Sequence, residues 1–385
     1  MAVLHITPAD TIAPISEVIP EMIIIIQKLI NTGYAYLAED GSIYYRVAQF
    51  KKYGQFAALD MAGMRPSGRV SHDEYAKDAV ADFALWKAYD ASVDGENKWA
   101  AEFTVDGVIQ VLDGRPGWHI ECSACNHKYF GDQIDIHMGG EDLVFPHHQN
   151  EIAQSEAYSG KEFAKYWMHC GHLMVEGKKM SKSLGNFYTL RDIYGLLPTV
   201  APAKIGRGFR LLSLSTQYRE SFNFKLESLE AAIRTLDSLD RFIRRIGRLS
   251  PEAGPVRSEI REFTQMAMVD FVEYLEDDIN TPEALARVHG CITDLNSILD
   301  DGDLRTGEIR AIIDLFKSFN SVLAIFDFEQ MKAEEFSFEI TELLAARENA
   351  KKTQDYTRAD AIRAELLTLG YKILDTNSGP TLERV

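Results

Sequence analysis

Residues 114–151 read GRPGWHIECSACNHKYFGDQIDIHMGGEDLVFPHHQNE, and the reading of this stretch decides the fold. Within it, QIDIHMGG reads as a short buried strand that ends at Gly139 and Gly140. FPHHQNEIAQSEAYS then reads as a helix with Pro146 near its first turn, a favoured place for proline. A strand closing on paired glycines before a helix is how nucleotide-binding α/β sheets present backbone to a ligand at their carboxyl edge. The earlier part, IECSACNHKYF, is expected to begin as a buried strand or strand end and pass into a helix. The stretch also holds two of the four cysteines and five of the ten histidines. Such a concentration points first to a zinc site or a catalytic pocket.

Upstream, residues 1–14 read as irregular and 15–32 as a helix, with Pro20 in its first turns and Gly33 at the C-cap position. YAYLAEDGSIYYRV carries Asp40-Gly41 between two alternating runs, a hairpin signal. Residues 49–82 are polar, with a short helix expected around SHDEYAKDAVA. DFALWKAY is a compact apolar segment, and 90–114 reads as loop-rich. Downstream, YWMHCGHLMVEG reads as a third strand turning at Glu176-Gly177, followed by the loop KKMSKSLGN and a helix near TLRDIYGLL. From about residue 200 the apolar residues recur at i, i+3, i+4, i+7, the pattern of a helical bundle with short turns. Residues 300–303, DDGD, form a turn. The last piece, 334–385, carries two more helices and an extended tail. Strands lie before residue 180 and helices after it, so the fold class is α/β followed by all-α.

The net charge of −17 over 385 residues argues against non-specific nucleic-acid binding, which rests on cationic surface. Local basic patches exist, among them Arg241, Arg244, Arg245 and Arg248, although a solvated helix face explains them as well. Four unevenly spaced cysteines do not make a disulfide framework, and free thiols suit a reducing cytosol. Asp10 and Glu17 stand where a signal peptide would be basic. The run MIIIIQKLI is too short to span a membrane.

His147 and Glu151 lie four apart in the expected helix and project from one face, where both can reach one cation. Cys122 can add a thiolate, and zinc accepts this mixture of S, N and O donors in a tetrahedral shell. Three protein ligands leave one position unfilled. His148 points about 100° away from His147 on a helix, so the two are not expected to ligate together. Cys122-x-x-Cys125 has a second meaning as a redox pair, which a lone C-x-x-C supports weakly. Lys178, Lys179 and Lys182 sit with Ser181 and Ser183 on a loop closed by Gly185-Asn186. Ammonium groups on such a loop can close over a triphosphate and neutralise charge during displacement at phosphorus.

Lys179-Met180-Ser181-Lys182-Ser183 matches the K-M-S-K-S signature of class I aminoacyl-tRNA synthetases letter for letter. The run from Gly117 to Ser123 and the block from Asp135-Ile136-His137 through Asp142 to Glu151 resemble the cysteinyl-tRNA synthetase family. So do Asp278–Pro282 and the closing helices with Arg358-Ala359-Asp360. The resemblance covers nearly the whole chain. It implies that cysteine and ATP form cysteinyl-adenylate and that the cysteinyl group passes to tRNA(Cys). One zinc per chain would bind the substrate thiolate, with magnesium accompanying ATP. By position, Cys122, His147 and Glu151 match zinc ligands, and Trp118 and His137 match residues lining the cysteine pocket. Gly140 and Asp142 fall in the segment that approaches the adenosine. Lys182 matches the ATP-binding lysine, with Lys179 beside it in the catalytic loop. Residue 149 is Gln where the family usually has Glu, expected to be a solvent-side change of little effect.

The resemblance implies an incomplete Rossmann-type nucleotide-binding domain with a connective insertion. Residues 1–115 would hold the end of its first half plus the insertion, and 116–200 its second half. Residues 201–330 would be the stem-contacting bundle and 331–385 a C-terminal tRNA-binding piece. A cytoplasmic monomer without a membrane partner is expected. The family begins with a strand carrying a further zinc cysteine and a His-x-Gly-His motif. No cysteine precedes Cys122 here, and the first 100 residues contain only His5 and His72. The favoured reading is a lost start, with poor activity of this chain by itself. Two rivals are a cysteine ligase acting on an amino-sugar and a non-catalytic tRNA- or zinc-binding remnant.

Overall fold

The computed structural model describes the chain except residues 60–64, 67–78, 81, 182–183, 250–252, 301–303, 332–337, 377–378 and 385. Most of the helix expected around 71–81 and of the 300–303 turn therefore lies outside the described residues, and Ala79–Val80, at the end of the expected helix, are extended instead. The chain divides into two compact units.

The first unit comprises residues 7–187 and 218–224. Helix α1 (Ile19–Asn31) buries Ile19, Met22, Ile25, Ile26 and Leu29, a spacing that gives one apolar stripe. That stripe packs into a core shared with β1 (Ala35–Leu37), β2 (Ile43–Tyr45) and later strands. The hairpin between β1 and β2 turns at Asp40-Gly41: Gly41 takes a positive φ, and the Asp40 carboxylate accepts from Ser42 N. A two-residue parallel bridge, β3 (Arg65–Pro66) and β4 (Ala79–Val80), precedes β5 (Phe83–Ala88). The region read as loop-rich is instead a long hairpin, β6 (Trp99–Val105) and β7 (Val108–Pro116). Burial alternates along β6, which buries Ala101 and Phe103 and exposes the residues between them, and this half-buried period was the missed signal. The sheet order is β1-β2-β5-β7-β6. Its β6 edge is blunted by Gln27, whose side-chain amide donates to Thr104 O and accepts from Thr104 N.

Helix α2 (Trp118–Phe130) replaces the expected strand start. Its buried residues, His119, Ile120, Ser123 and Ala124, recur with a helical period rather than a period of two. Gly117 is required at its N-cap, since a Cβ there would lie 2.0 Å from Ala84 O. Strand β8 (Ile134–Gly140) follows as expected. The next helix starts later than Pro146: residues 144–148 form a wide turn around a cis Phe145–Pro146 bond, and α3 runs over Gln149–Ser159. Strand β9 (Ala164–Cys170) pairs parallel with β8. β10 (Leu173–Val175) and β11 (Lys178–Lys179) form a hairpin turning at Glu176-Gly177, and β12 (Phe222–Phe224) lies parallel to β10. Strands thus continue past residue 180.

The second unit comprises residues 1–6, 188–217 and 225–385. It contains α4 (Leu190–Leu196), α5 (Pro202–Leu214), α6 (Leu226–Gly247), α7 (Ser258–Glu276), α8 (Thr281–Asp300) and α9 (Thr306–Leu323). One apolar core runs through α5 to α9 and includes Phe242, Phe271, Phe316 and Phe319. The buried Arg207 forks onto Asp240 and donates to Ile325 O, which satisfies a charge that would otherwise be costly. Helices α10 (Phe338–Lys352) and α11 (Tyr356–Thr368) pack on a smaller cluster, and the extended tail is a hairpin, β13 (Tyr371–Thr376) and β14 (Gly379–Arg384). Among the described residues no helix is long and apolar enough to cross a membrane.

Candidate functional site

The β8–β9 register sets the site. It matches Ile136 with Tyr166, His137 with Trp167, Met138 with Met168 and Gly139 with His169. Successive side chains point to opposite faces, so His137, Trp167 and His169 share one face while Ile136, Met138, Tyr166 and Met168 share the other. On the first face the His137 ring stands edge-on to Trp167 at 4.7 Å and to His148 at 4.8 Å between centroids. Helix α2 contributes Trp118, His119 and Cys122. The turn before α3 contributes His147 and His148, and the first turn of α3 contributes Glu151.

Cys122, His147 and Glu151 bring one donor atom each to within 4.8 Å of one another. A second trio, His137, His148 and Glu151, meets the same limit, so Glu151 is shared. Glu151 Oε1 lies 2.7 Å from His147 Nε2, and Oε2 lies 3.0 Å from His137 Nε2. The carboxylate is fully buried, yet neither oxygen accepts a hydrogen bond of proper direction. Close contacts that lack hydrogen-bond direction are what donor atoms aimed at a common cation produce. The S, N and O donor set fits zinc. His119 Nδ1 lies 2.9 Å from His147 Nδ1. When His147 donates there, its Nε2 keeps the lone pair that a metal requires. Trp118 covers the same ring, 4.2 Å between centroids.

The electrostatics agree. Burial raises the Cys122 thiol well above its ordinary value, and the charges of Glu151 and Glu121 raise it further. Burial would also raise Glu151, but His137 and His147 outweigh it and hold the carboxyl at about 2. Burial pushes His148 down to about 3 against the pull of Glu151. These side chains alone disfavour a thiolate at Cys122, a cost that a divalent cation reverses.

Other site residues sit around this cluster. Gly139 permits the close approach of His148, because a Cβ would lie 2.6 Å from His148 Cε1. Gly140 ends β8, and the exposed Asp142 follows in a single turn. Lys179 is exposed at the end of the β10–β11 hairpin. The loop after it is stapled by Asn186, whose side chain accepts from Ser181 N and donates to Lys179 O. Lys182 lies outside the described residues. Gln149 is fully buried and accepts from Ala57 N at 3.4 Å, which corrects its reading as a solvent-side position. Sequence reasoning set His148 aside as a co-ligand of His147 and gave no role to His119, and it missed His169 and Trp167; His148 Nδ1 lies 2.8 Å from His169 Nε2. A helical reading of 118–130 would have placed His119 and Cys122 one turn apart on one face.

Comparison with known proteins gives the family. Residues 1–234 match the model for the class I (C) tRNA synthetase catalytic domain, 270–327 a DALR domain, and 333–379 a cysteinyl-tRNA ligase anticodon binding domain. The cysteine–tRNA ligase of Solibacter usitatus is 41% identical over 381 residues, covering 99% of this chain and 78% of the relative. The chain belongs to the cysteinyl-tRNA synthetase family. The Chlamydia felis cysteine–tRNA ligase is 39% identical over 390 residues, covering 100% of this chain and 78% of its own length. Mycobacterium tuberculosis methionyl-tRNA synthetase, solved with methionyl-adenylate, shares the fold at a TM-score of 0.55 and 12% identity, covering 89% of this chain and 78% of that one. As a class I synthetase of the cysteinyl family, the chain is an enzyme of tRNA charging, with the α/β catalytic fold followed by helices that its resemblance implied.

Proposed function

We propose that this cysteinyl-tRNA synthetase recognises cysteine at a zinc site formed by Cys122, His147 and Glu151. The convergence of those three donors around a fully buried carboxylate carries the reading. Zinc bound there would supply a soft Lewis acid for the substrate thiolate, and serine's harder hydroxyl would bind it less well. Trp118 packs on the His147 ring, and His119 orients that ring through the contact between their Nδ1 atoms. His137 braces the second Glu151 oxygen and faces the cysteine pocket. Gly140 and Asp142 approach the adenosine of ATP at the end of β8, where backbone is bare and a side chain would collide with Asp142. Lys179 and Lys182 supply positive charge to the phosphates, which enter with magnesium. The anticodon-binding match at 333–379 supports tRNA(Cys), rather than an amino-sugar, as the acceptor. A monomer in the cytoplasm completes the reading.

Cys122, His147 and Glu151 would give the ion three protein donors and leave a fourth position for the substrate thiolate. Cysteine-dependent ATP–pyrophosphate exchange measures the activation step. The site itself is tested by metal content and by the charge-transfer absorption of the cobalt-substituted protein. One equivalent of metal, a sulfur-to-cobalt band and loss of both in Cys122→Ser support the assignment; retention of metal by that variant overturns it. Loss of metal in Cys125→Ser would instead bring in the half-buried Cys125, one turn along α2.

A further inference from the structure

We infer that Glu151 can bridge two divalent transition-metal ions, the second held through its other oxygen by His137 and His148. The inference rests on the zinc reading for the first ion and adds a second site that the function proposed above does not use. The two Glu151 oxygens serve different partners. Oε1 lies 2.7 Å from His147 Nε2, and Oε2 lies 3.0 Å from His137 Nε2. Cys122 and His147 form one donor trio with Glu151, and His137 and His148 form another. Only the carboxylate belongs to both trios. A carboxylate placed between two donor sets, one oxygen to each, is how a side chain holds a pair of ions.

Unsatisfied atoms carry the same message. Both Glu151 oxygens and His137 Nε2 are closed to water, and none makes a properly directed hydrogen bond. An ion at Cys122, His147 and Glu151 would satisfy Oε1 and leave Oε2 and His137 Nε2 still facing one another. Buried polar atoms left in that state are costly, and a second ion removes the cost. The rings around it are already placed. His148 Nδ1 lies 2.8 Å from His169 Nε2, the outer partner that a ligating imidazole ordinarily has. Trp167 stands edge-on to His137 at 4.7 Å between centroids, and Gly139 leaves room for His148. Two imidazoles and a carboxylate suit zinc, cobalt(II), nickel(II) or iron(II), whereas magnesium and calcium want oxygen donors. The second site has no thiolate and shares a carboxylate already facing a cation, so it fills after the first.

The test is equilibrium dialysis of the cobalt-substituted chain against cobalt(II) ions, with the visible spectrum read alongside. Two equivalents are expected, the second at least about 10-fold weaker than the first because two dications repel across one carboxylate. The first carries the sulfur-to-cobalt band. The second adds ligand-field absorption and leaves that band unchanged, and excess magnesium does not displace it. His137→Gln and His148→Gln should each weaken the second step by at least about 10-fold and keep the first with its sulfur band. Retention of the first step also shows that each variant is folded. Saturation at one equivalent with the sulfur band present overturns the bridge and leaves the zinc reading standing, since a proton rather than an ion then joins His137 to Glu151. A second step unchanged in both variants, or displaced by magnesium, overturns it as well. Loss of both steps in both variants would place all the donors on a single ion and also overturn it. Cobalt uptake with no sulfur band would instead sink the zinc reading and the bridge together.

Discussion

In the helical bundle, Phe316 is fully buried with Phe242 at 4.9 Å, Phe326 at 5.3 Å and Phe319 at 5.6 Å between centroids. In the β8–β9 pair, Met138 and Tyr166 stand two-thirds exposed, while the opposite face meets buried imidazoles and, through His137, a buried carboxylate. The bundle spends its burial on apolar contacts and completes its core from its own helices. The catalytic pair spends burial on donor atoms, which is costly unless a ligand or ion satisfies them. Stability and chemistry therefore reside in different parts of the chain, and substitutions should separate them.

The largest effect is expected at the shared carboxylate. Glu151→Gln keeps the volume but removes the charge that two imidazoles face at 2.7 and 3.0 Å. Residues one shell out from a metal typically cost 10–100-fold. Under the zinc reading Glu151 is itself a ligand and should cost more, so cysteine-dependent pyrophosphate exchange should fall at least about 1,000-fold. The helical unit should unfold at the same urea midpoint as before. A shift of that midpoint would mean that the two regions are not separable in this way.

The reverse experiment is Phe316→Ala. Removing a fully buried aromatic ring from the bundle should cost about 3–5 kcal/mol, read from urea unfolding. Metal content should be unchanged. A cost below about 1 kcal/mol would show that the bundle core repacks freely, and the contrast with the catalytic pair would lose its basis.

A smaller effect distinguishes the bundle by pH. Glu308 caps α9, accepting from Arg305 N, and takes two bonds from the Arg257 guanidinium. The Arg257 hydrogen bonds outweigh burial and hold its carboxyl at about 2, against an ordinary value of 4.5. A group whose folded value is depressed contributes stability above its unfolded value and loses it as pH falls through the folded one. Stability of the helical unit should therefore decline between about pH 5 and pH 2, by on the order of 2 kcal/mol from this group. Glu308→Gln should flatten that part of the pH profile; an unchanged slope would remove Glu308 as its source.

Much of this division was legible in the chain. The period of 3.6 marked the bundle, and strong local signals marked the Asp40-Gly41 hairpin and the QIDIHMGG strand. The spacing of His147 and Glu151 predicted that the two side chains meet, although His147 stands on the turn before α3 rather than on the helix itself. What failed has physical causes. Trp118–Phe130 is nearly as polar as it is apolar, because it buries His119 and Ser123 against partners supplied by α3 and its preceding turn. Periodicity counts hydrophobes and cannot see such burial. The same blindness hid Gln149, a polar side chain that is fully buried. The pairing of His148 with His169 depends on which strand neighbours β8, a non-local fact that no window of sequence contains.

The smallest effect is the sharpest test of the contrast. Ile136 and Phe316 are both large apolar residues in regular structure, and a sequence scale ranks them alike. Ile136, however, is 55% exposed on the uncovered face of β8. Replacing it by Ser removes little apolar area that folding had taken out of water, so the chain alone should lose no more than about 0.5 kcal/mol, the range of ordinary surface changes. The β-propensity of serine is lower than that of isoleucine, which sets the sign of the small loss. Urea unfolding of the first unit, followed by Trp167 fluorescence on the opposite face of the same strands, measures it. A loss of 2 kcal/mol or more would mean that Ile136 is already covered in solution by part of the chain itself. The two regions would then bury their apolar faces in the same way, and the contrast would have to be abandoned.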